Sequence, residues 1–273
     1  MTDVLVTGSF DDLRSRDVRF LEEAAKLGRV RAGLWTDSLI IARKKDPPKF
    51  PFAERLYMLQ AIRYVTQVFT VDEFRPVPDN GPGETPAPGV WAVDEAGNLP
   101  EIRALSAARG LELRIIESTA LAGFPPLPAL EIGARPKSKR VVVTGCYDWF
   151  HSGHVRFFEE AAAFGDLYVG VGSDANLRRL KGEGHPLFPE AERAYMIQSV
   201  RCVKRAFVAT GLGWMDAEPE IATIKPHFYV VNEDGDRPEK RDFCRQAGID
   251  YIVLSRTPRP GLPGRDSTKL RGF

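Results

Sequence analysis

Apolar and polar positions alternate in blocks along the second half of the chain. Five short apolar runs, at 140–145 (RVVVTG), 167–173 (LYVGVGS), 205–210 (RAFVAT), 228–232 (FYVVN) and 251–255 (YIVLS), are rich in β-branched and aromatic residues and end at small or polar ones. That is the pattern of strands buried on both faces. Between them, HVRFFEEAAAFG (154–165) and EAERAYMIQSVR (190–201) carry apolar residues at helical spacing, and Gly165 is the expected C-cap of the first. Strands alternating with helices predict an α/β fold with a parallel sheet and right-handed crossovers. Ligands of such sheets sit at the carboxyl ends of the strands, which directs attention to the loop TGCYDWFHSGH leaving the first run.

The first half repeats the pattern. GSFDDLRSRDVRFLEEAAKLGR (8–29) aligns with GCYDWFHSGHVRFFEEAAAFGD (145–166), AERLYMLQAIRYV (53–65) with AERAYMIQSVRCV (191–203), and VWAVDEAGNLPE (90–101) with FYVVNEDGDRPE (228–239). Internal duplication is the natural inference. The seam is expected in IGARPKSKR (132–140), where Gly, Pro and basic residues interrupt the hydrophobic pattern. The predicted domains are therefore 1–134 and 138–273.

Composition narrows the function classes. The 273 residues are 43% hydrophobic and 27% charged with a formal net charge of +1, so neither a nucleic-acid nor a membrane surface is expected. Three cysteines without a CxxC pair give no disulfide framework and no zinc site, and the N-terminus has no basic and apolar leader; a cytoplasmic chain is the expectation.

All four histidines lie beyond residue 150, and His151 and His154 stand three apart in HSGH directly after a predicted strand. Residues so spaced at a helix start share a face, and the helix N-terminus adds free N–H groups and a positive dipole end suited to phosphate. Gly153 is expected to let a phosphate approach the backbone and Gly145 to relax the turn.

These residues resemble the cytidylyltransferase family of nucleotidyltransferases. GCYDWFHSGH, GVGSD, LKG, EAER and the closing RTPRPGLPGRDSTKLRG are similar to that family's G-x-[FY]-D-x-x-H-x-G-H and later R-T-x-G-I-S-[ST]-T-like motifs, the last being stretched here. FHSGH is close to choline-phosphate cytidylyltransferases, and the match of two tandem copies resembles ethanolamine-phosphate cytidylyltransferase. RLKGEGHPLFPEAER (179–193) is closer to the adenylyltransferase part of ADP-heptose synthases.

The resemblance implies two tandem Rossmann-like domains with parallel sheets flanked by helices. It implies transfer of CMP from CTP, with Mg²⁺, to a phosphorylated small alcohol, amino alcohol or sugar; the alternatives are AMP from ATP, or a non-catalytic nucleotide sensor. It makes His151, His154 and Lys181 catalytic. It assigns Thr144, Gly145, Cys146, Tyr147, Gly153, Arg193, Asn232, Glu233, Asp234, Ser267 and Thr268 to the nucleotide, and Asp148 and Trp149 to the acceptor. Trp214 matches a tryptophan of cytidylyltransferases. Asp148 has a partner in Asp11 and Arg193 in Arg55, and for these two the retention points equally to a framework role.

In the first half Arg14, Arg16 and Asp17 replace His151, Gly153 and His154, and PVPDNGPGETPAPG (76–89) is inserted. A degenerate, non-catalytic copy is expected there, within either an intra-chain pseudo-dimer or a homodimer.

Overall fold

The computed structural model describes residues 2–73, 89–130 and 138–270, and each predicted run of the second half is a strand in it. The chain divides into two units, Met1–Gly123 and Phe124–Phe273. The first runs β1 (Asp3–Gly8), α1 (Ser15–Leu27), β2 (Arg29–Trp35), α2 (Asp37–Lys44), α3 (Phe52–Ala61), β3 (Val65–Val71), β4 (Val90–Asp94), α4 (Pro100–Ala108) and β5 (Glu112–Ile116). The second runs β6 (Arg140–Gly145), α5 (Ser152–Ala162), β7 (Asp166–Val171), α6 (Asp174–Lys181), α7 (Glu190–Gln198), β8 (Val203–Val208), α8 (Glu218–Ile224), β9 (Phe228–Asn232), α9 (Pro238–Ala247), β10 (Asp250–Leu254) and the short α10 (Ser267–Leu270).

Each unit is built on a five-stranded parallel sheet, ordered β3-β2-β1-β4-β5 and β10-β9-β6-β7-β8, the same order read from opposite ends. Register is shared as well: Gly8 pairs with Leu34 and Gly145 with Val171. An irregularity falls at matching places, between Val30 and Arg31 and between Leu167 and Tyr168. On one face of the second sheet, Val142, Tyr168, Phe207 and Tyr229 pack against Ile221 and Ile224 of α8 and Cys244 of α9. Among the described residues no helix is long and apolar enough to cross a membrane.

Two local expectations change. The units divide ahead of the predicted seam, because Phe124 stacks on Tyr195 at 5.3 Å and Leu130 packs into the second core. Gly165 does not cap α5, which ends at Ala162. A Cβ at Gly165 would lie 2.1 Å from the Lys139 carbonyl oxygen, so this glycine admits the backbone entering β6. The insertion at 76–89 lies, apart from Gly89, outside the described residues.

A buried arginine ties together the loops at the carboxyl edge of the second sheet. Arg193, on α7 and 2% exposed, donates from Nε to the Phe188 carbonyl (2.8 Å) and from Nη1 to the Cys146 carbonyl (2.7 Å), and pairs through Nη2 with Asp174 (2.6 Å). Arg55 repeats the arrangement in the first unit with the carbonyls of Phe50, Ser9 and Trp35 and with Asp37. A second strut accompanies each clamp. Asp148 accepts from the backbone N–H groups of Leu187 (2.7 Å) and Phe188 (3.0 Å), as Asp11 does from Lys49 and Phe50.

Replacing Arg193 by Lys keeps the charge but loses the planar fork, leaving buried carbonyls unmatched. The Arg193→Lys chain is expected to lose about 2 kcal/mol of protection in the β6 and β7 amides, read by native-state hydrogen exchange.

Candidate active site

The loop after β6 reverses tightly. Tyr147 takes a left-handed conformation (φ 53), as does its first-unit counterpart Phe10 (φ 42), at a cost of order 1–3 kcal/mol for a side-chain-bearing residue. Its ring folds back over Gly145, where a Cβ would come within 2.7 Å of it. The same ring meets His154 and Phe158 edge-on at 5.3 and 5.2 Å.

His151 is the N-cap of α5, and the two imidazoles stack with centroids 3.9 Å apart. The Nδ1 atom of each accepts a backbone N–H: His151 from Gly153 (3.1 Å) and His154 from His151 (3.3 Å). An Nδ1 that accepts carries no proton, so each neutral ring presents Nε2–H as a donor. The His151 Nε2 is buried without a hydrogen-bond partner among the described residues, as are Tyr147 Oη and Asn232 Oδ1. Gly153 acquires a reason different from the one expected, since a Cβ there would lie 2.9 Å from the His151 ring.

Burial keeps both rings neutral. It pushes His151 down to about 4, with the Arg256 charge adding to the effect. His154 lies well below the ordinary imidazole range, first through burial and then through His151, Arg256 and Lys181. Burial also raises the Cys146 thiol against the opposing pull of Lys181 and Arg193, so no ready thiolate nucleophile stands here.

A cleft of about 380 Å³ opens above these groups. Of the predicted site residues, Thr144, Gly145, Cys146, Tyr147, Asp148, His151, Gly153, His154, Lys181, Asn232, Asp234 and Ser267 line it. Arg193, Trp149 and Glu233 stand outside that lining. Arg193 is occupied as the clamp, and Trp149 is buried edge-on against Phe188 at 5.6 Å. Glu233 accepts from the Arg256 backbone N–H at 3.4 Å. The side chain of Thr268 lies outside the described residues. The stretched closing motif still reaches the cleft: Arg256 pairs with Asp234 at 2.7 Å and donates to the Arg265 carbonyl, and Ser267 Oγ donates to the Trp149 carbonyl at 3.2 Å. Among residues the motifs did not single out, Asn176, Asp216, Arg237 and Lys240 also line the cleft.

The family model described as Cytidylyltransferase-like matches residues 142–259. The second unit is a cytidylyltransferase-like domain. Such domains belong to the nucleotidyltransferases, and the paired histidines, the lysine and the closing serine of this one converge on a single cleft. The chain is 40% identical over 103 residues to Bifunctional protein HldE of Pelobacter propionicus, covering 37% of this chain and 20% of that one. It is 46% identical over 139 residues to Bifunctional protein HldE of Citrifermentans bemidjiense, covering 50% and 23%. The chain thus matches about a fifth of the length of these curated relatives. The crystal structure of the lipopolysaccharide core biosynthesis protein from Thermoplasma volcanium GSS1 aligns with 44% of this chain and 98% of its own, at 25% identity and a TM-score of 0.39.

The first unit keeps the frame and changes the chemistry at the matching place. Asp17 Oδ2 accepts the Arg14 backbone N–H at 2.8 Å, the job that His154 Nδ1 does for His151. Asp12 is held by Arg14 at 2.7 Å and Lys49 at 3.5 Å. The helix start is preserved there, and a carboxylate acceptor, Asp17, stands where His154 offers an N–H.

Because the unfolded chain protonates His151 near 6.5 and the folded ring only near 4, folding stability falls as pH drops through that window and is fully present above it. The loss is on the order of 3 kcal/mol. An NMR titration is expected to show the His151 Cε1 resonance constant from pH 8 to 5 and moving only near pH 4.

Proposed function

We propose that the cytidylyltransferase-like domain transfers AMP from ATP to a small phosphorylated sugar or polyol. A phosphate oxygen of the acceptor attacks the α-phosphorus, the bond to the bridging oxygen breaks, and its electron pair leaves with pyrophosphate. No protein nucleophile takes part, so the chain's contribution is position and charge.

One observation carries this reading: the two stacked, neutral imidazoles, each locked by the backbone with Nε2–H as its donor, at the N-terminus of α5. In this reading they bind the phosphoryl oxygens on which charge develops, while Lys181 at the end of α6 supplies a mobile positive charge. Arg256 and Ser267 hold the closing segment against the far side of the triphosphate.

ATP is favoured over CTP by the likeness of residues 179–193 to the adenylyltransferase part of ADP-heptose synthases and by the HldE relatives. CTP is the second reading, favoured by Trp214 at the cleft. Among the described residues no group of three or more His, Cys, Asp or Glu side chains is arranged to hold a metal ion. Mg²⁺ therefore enters this reading on the oxygens of the triphosphate, where it neutralises charge. The first unit, with Asp17 in place of a donor, is read as catalytically silent.

Calorimetry with Mg·ATP and Mg·CTP, followed by pyrophosphate release with a panel of sugar and polyol phosphates, tests the proposal. ATP is expected to bind, and His154→Ala to lower turnover by about 10²–10³-fold while changing nucleotide affinity by less than about tenfold. Failure of both nucleotides to bind would sink it.

A further inference from the structure

The floor of the cleft holds two buried charges that the transfer chemistry leaves unused. Asp216 is 8% exposed and Lys240 7% exposed, and both line the cleft. Asp216 Oδ2 accepts from Asn176 Nδ2 at 2.9 Å. Asn176 is itself fixed in place, because its amide also donates to the Gly213 carbonyl (3.0 Å) and accepts the Gly213 N–H (2.7 Å). Backbone crowds the aspartate closely, since a Cβ at Gly211 would lie 2.5 Å from the Asp216 carbonyl oxygen and one at Gly172 would lie 3.3 Å from Oδ2.

Among the described residues Lys240 Nζ makes one long hydrogen bond, 3.4 Å, to Thr144 Oγ1, which itself bonds Tyr229 Oη at 2.6 Å. The ammonium stands 5.6 Å above the Tyr229 ring. Among the described residues no ion pair within 4.0 Å joins Asp216 to Lys240. Arg237, stacked on Trp214 at 4.8 Å, and Asp234, held by Arg256, complete the charged surroundings on the cleft side.

Unlike charges buried in the lining of one cleft without pairing to each other are costly unless a ligand satisfies both. A phosphate would meet Lys240 but be repelled by Asp216. A quaternary ammonium would be repelled by Lys240 and has no N–H for Asp216. A hydroxyl both donates and accepts, so adjacent hydroxyls satisfy a carboxylate and an ammonium together. We propose that Asp216 and Lys240, with Asn176 as the positioning residue, form a specificity subsite that reads vicinal hydroxyls on the acceptor's carbon chain and excludes cationic amino alcohols. The assignment rests on the transferase reading above.

The test is isothermal titration of the full chain saturated with α,β-methylene ATP, using mannose 1-phosphate, ribose 5-phosphate, glycerol 3-phosphate and phosphocholine as probes. At least one hydroxyl-bearing phosphate is expected to bind and phosphocholine to give no heat. Asp216→Asn and Lys240→Met are each expected to weaken that probe by about tenfold or more while changing α,β-methylene ATP affinity less than about twofold. Both replacements are close in volume, and if one variant melts early the other carries the test. Binding of phosphocholine, or of none of the hydroxyl-bearing probes to the nucleotide-loaded chain, overturns the proposal. An equal loss of nucleotide affinity in the variants also overturns it, by moving the subsite to the ribose. Failure of the wild type to bind α,β-methylene ATP is a different result, which removes the ATP-dependent reading on which the assignment rests.

Discussion

The site depends on one buried guanidinium. Arg193 reaches from α7 to the carbonyl that follows β6, to the carbonyl that precedes α7 and to the carboxylate at the start of α6, so three separate loops share one rigid, planar donor. A parallel sheet supplies strand ends about 4.8 Å apart, but it does not fix the loops that leave them. The clamp does, and Asp148 reinforces it by gripping the chain at Leu187 and Phe188. With those loops fixed, the turn through Tyr147 can hold its left-handed strain and deliver His151 to the head of α5.

From that point the backbone decides the chemistry of the histidines. Each imidazole is oriented by an N–H that a helix start leaves free, so the groups that cap α5 are the groups that face the cleft. The first unit separates these roles. Its Asp17 caps α1 through a carboxylate oxygen, which satisfies the helix and offers nothing to a phosphate. Burial raises the Asp17 carboxyl, with the Arg14 N–H acting against that shift.

The strands and the helices α5 and α7 were legible in the sequence, because residues buried on both faces of a parallel sheet form unbroken apolar runs and helices that pack on it carry a 3.6-residue period. HSGH was legible because two histidines at one helix start are rare in a chain with four. Arg193 was legible only as an alternative: its partner in Arg55 pointed to a framework role, and the three contacts it makes, to Phe188, Cys146 and Asp174, join separate loops. Gly165 was misread since a glycine that ends a helical pattern and one that admits a neighbouring carbonyl look identical in one dimension. Asp216, Lys240 and Asn176 carried no signal. Each sits in a polar, helix-starting stretch that reads as solvated surface, and their burial arises from strands and helices distant in sequence. The closing motif was legible in composition and not in register, as its long proline- and glycine-containing insert hides how Arg256 and Ser267 return to one cleft.

The neutrality of the two imidazoles bears on how a reaction cycle would end. Two imidazolium ions would hold a polyanion tightly before and after bond cleavage, and departure of pyrophosphate would be slow. A pair of uncharged N–H donors grips by direction more than by charge. It is strongest where charge accumulates on the phosphoryl group in flight and relaxes once that charge has gone with the leaving group. Under the transferase reading proposed above, the low proton affinity of the buried histidines would serve turnover, by adding no further positive charge to a cleft already lined by Lys181 and Arg256.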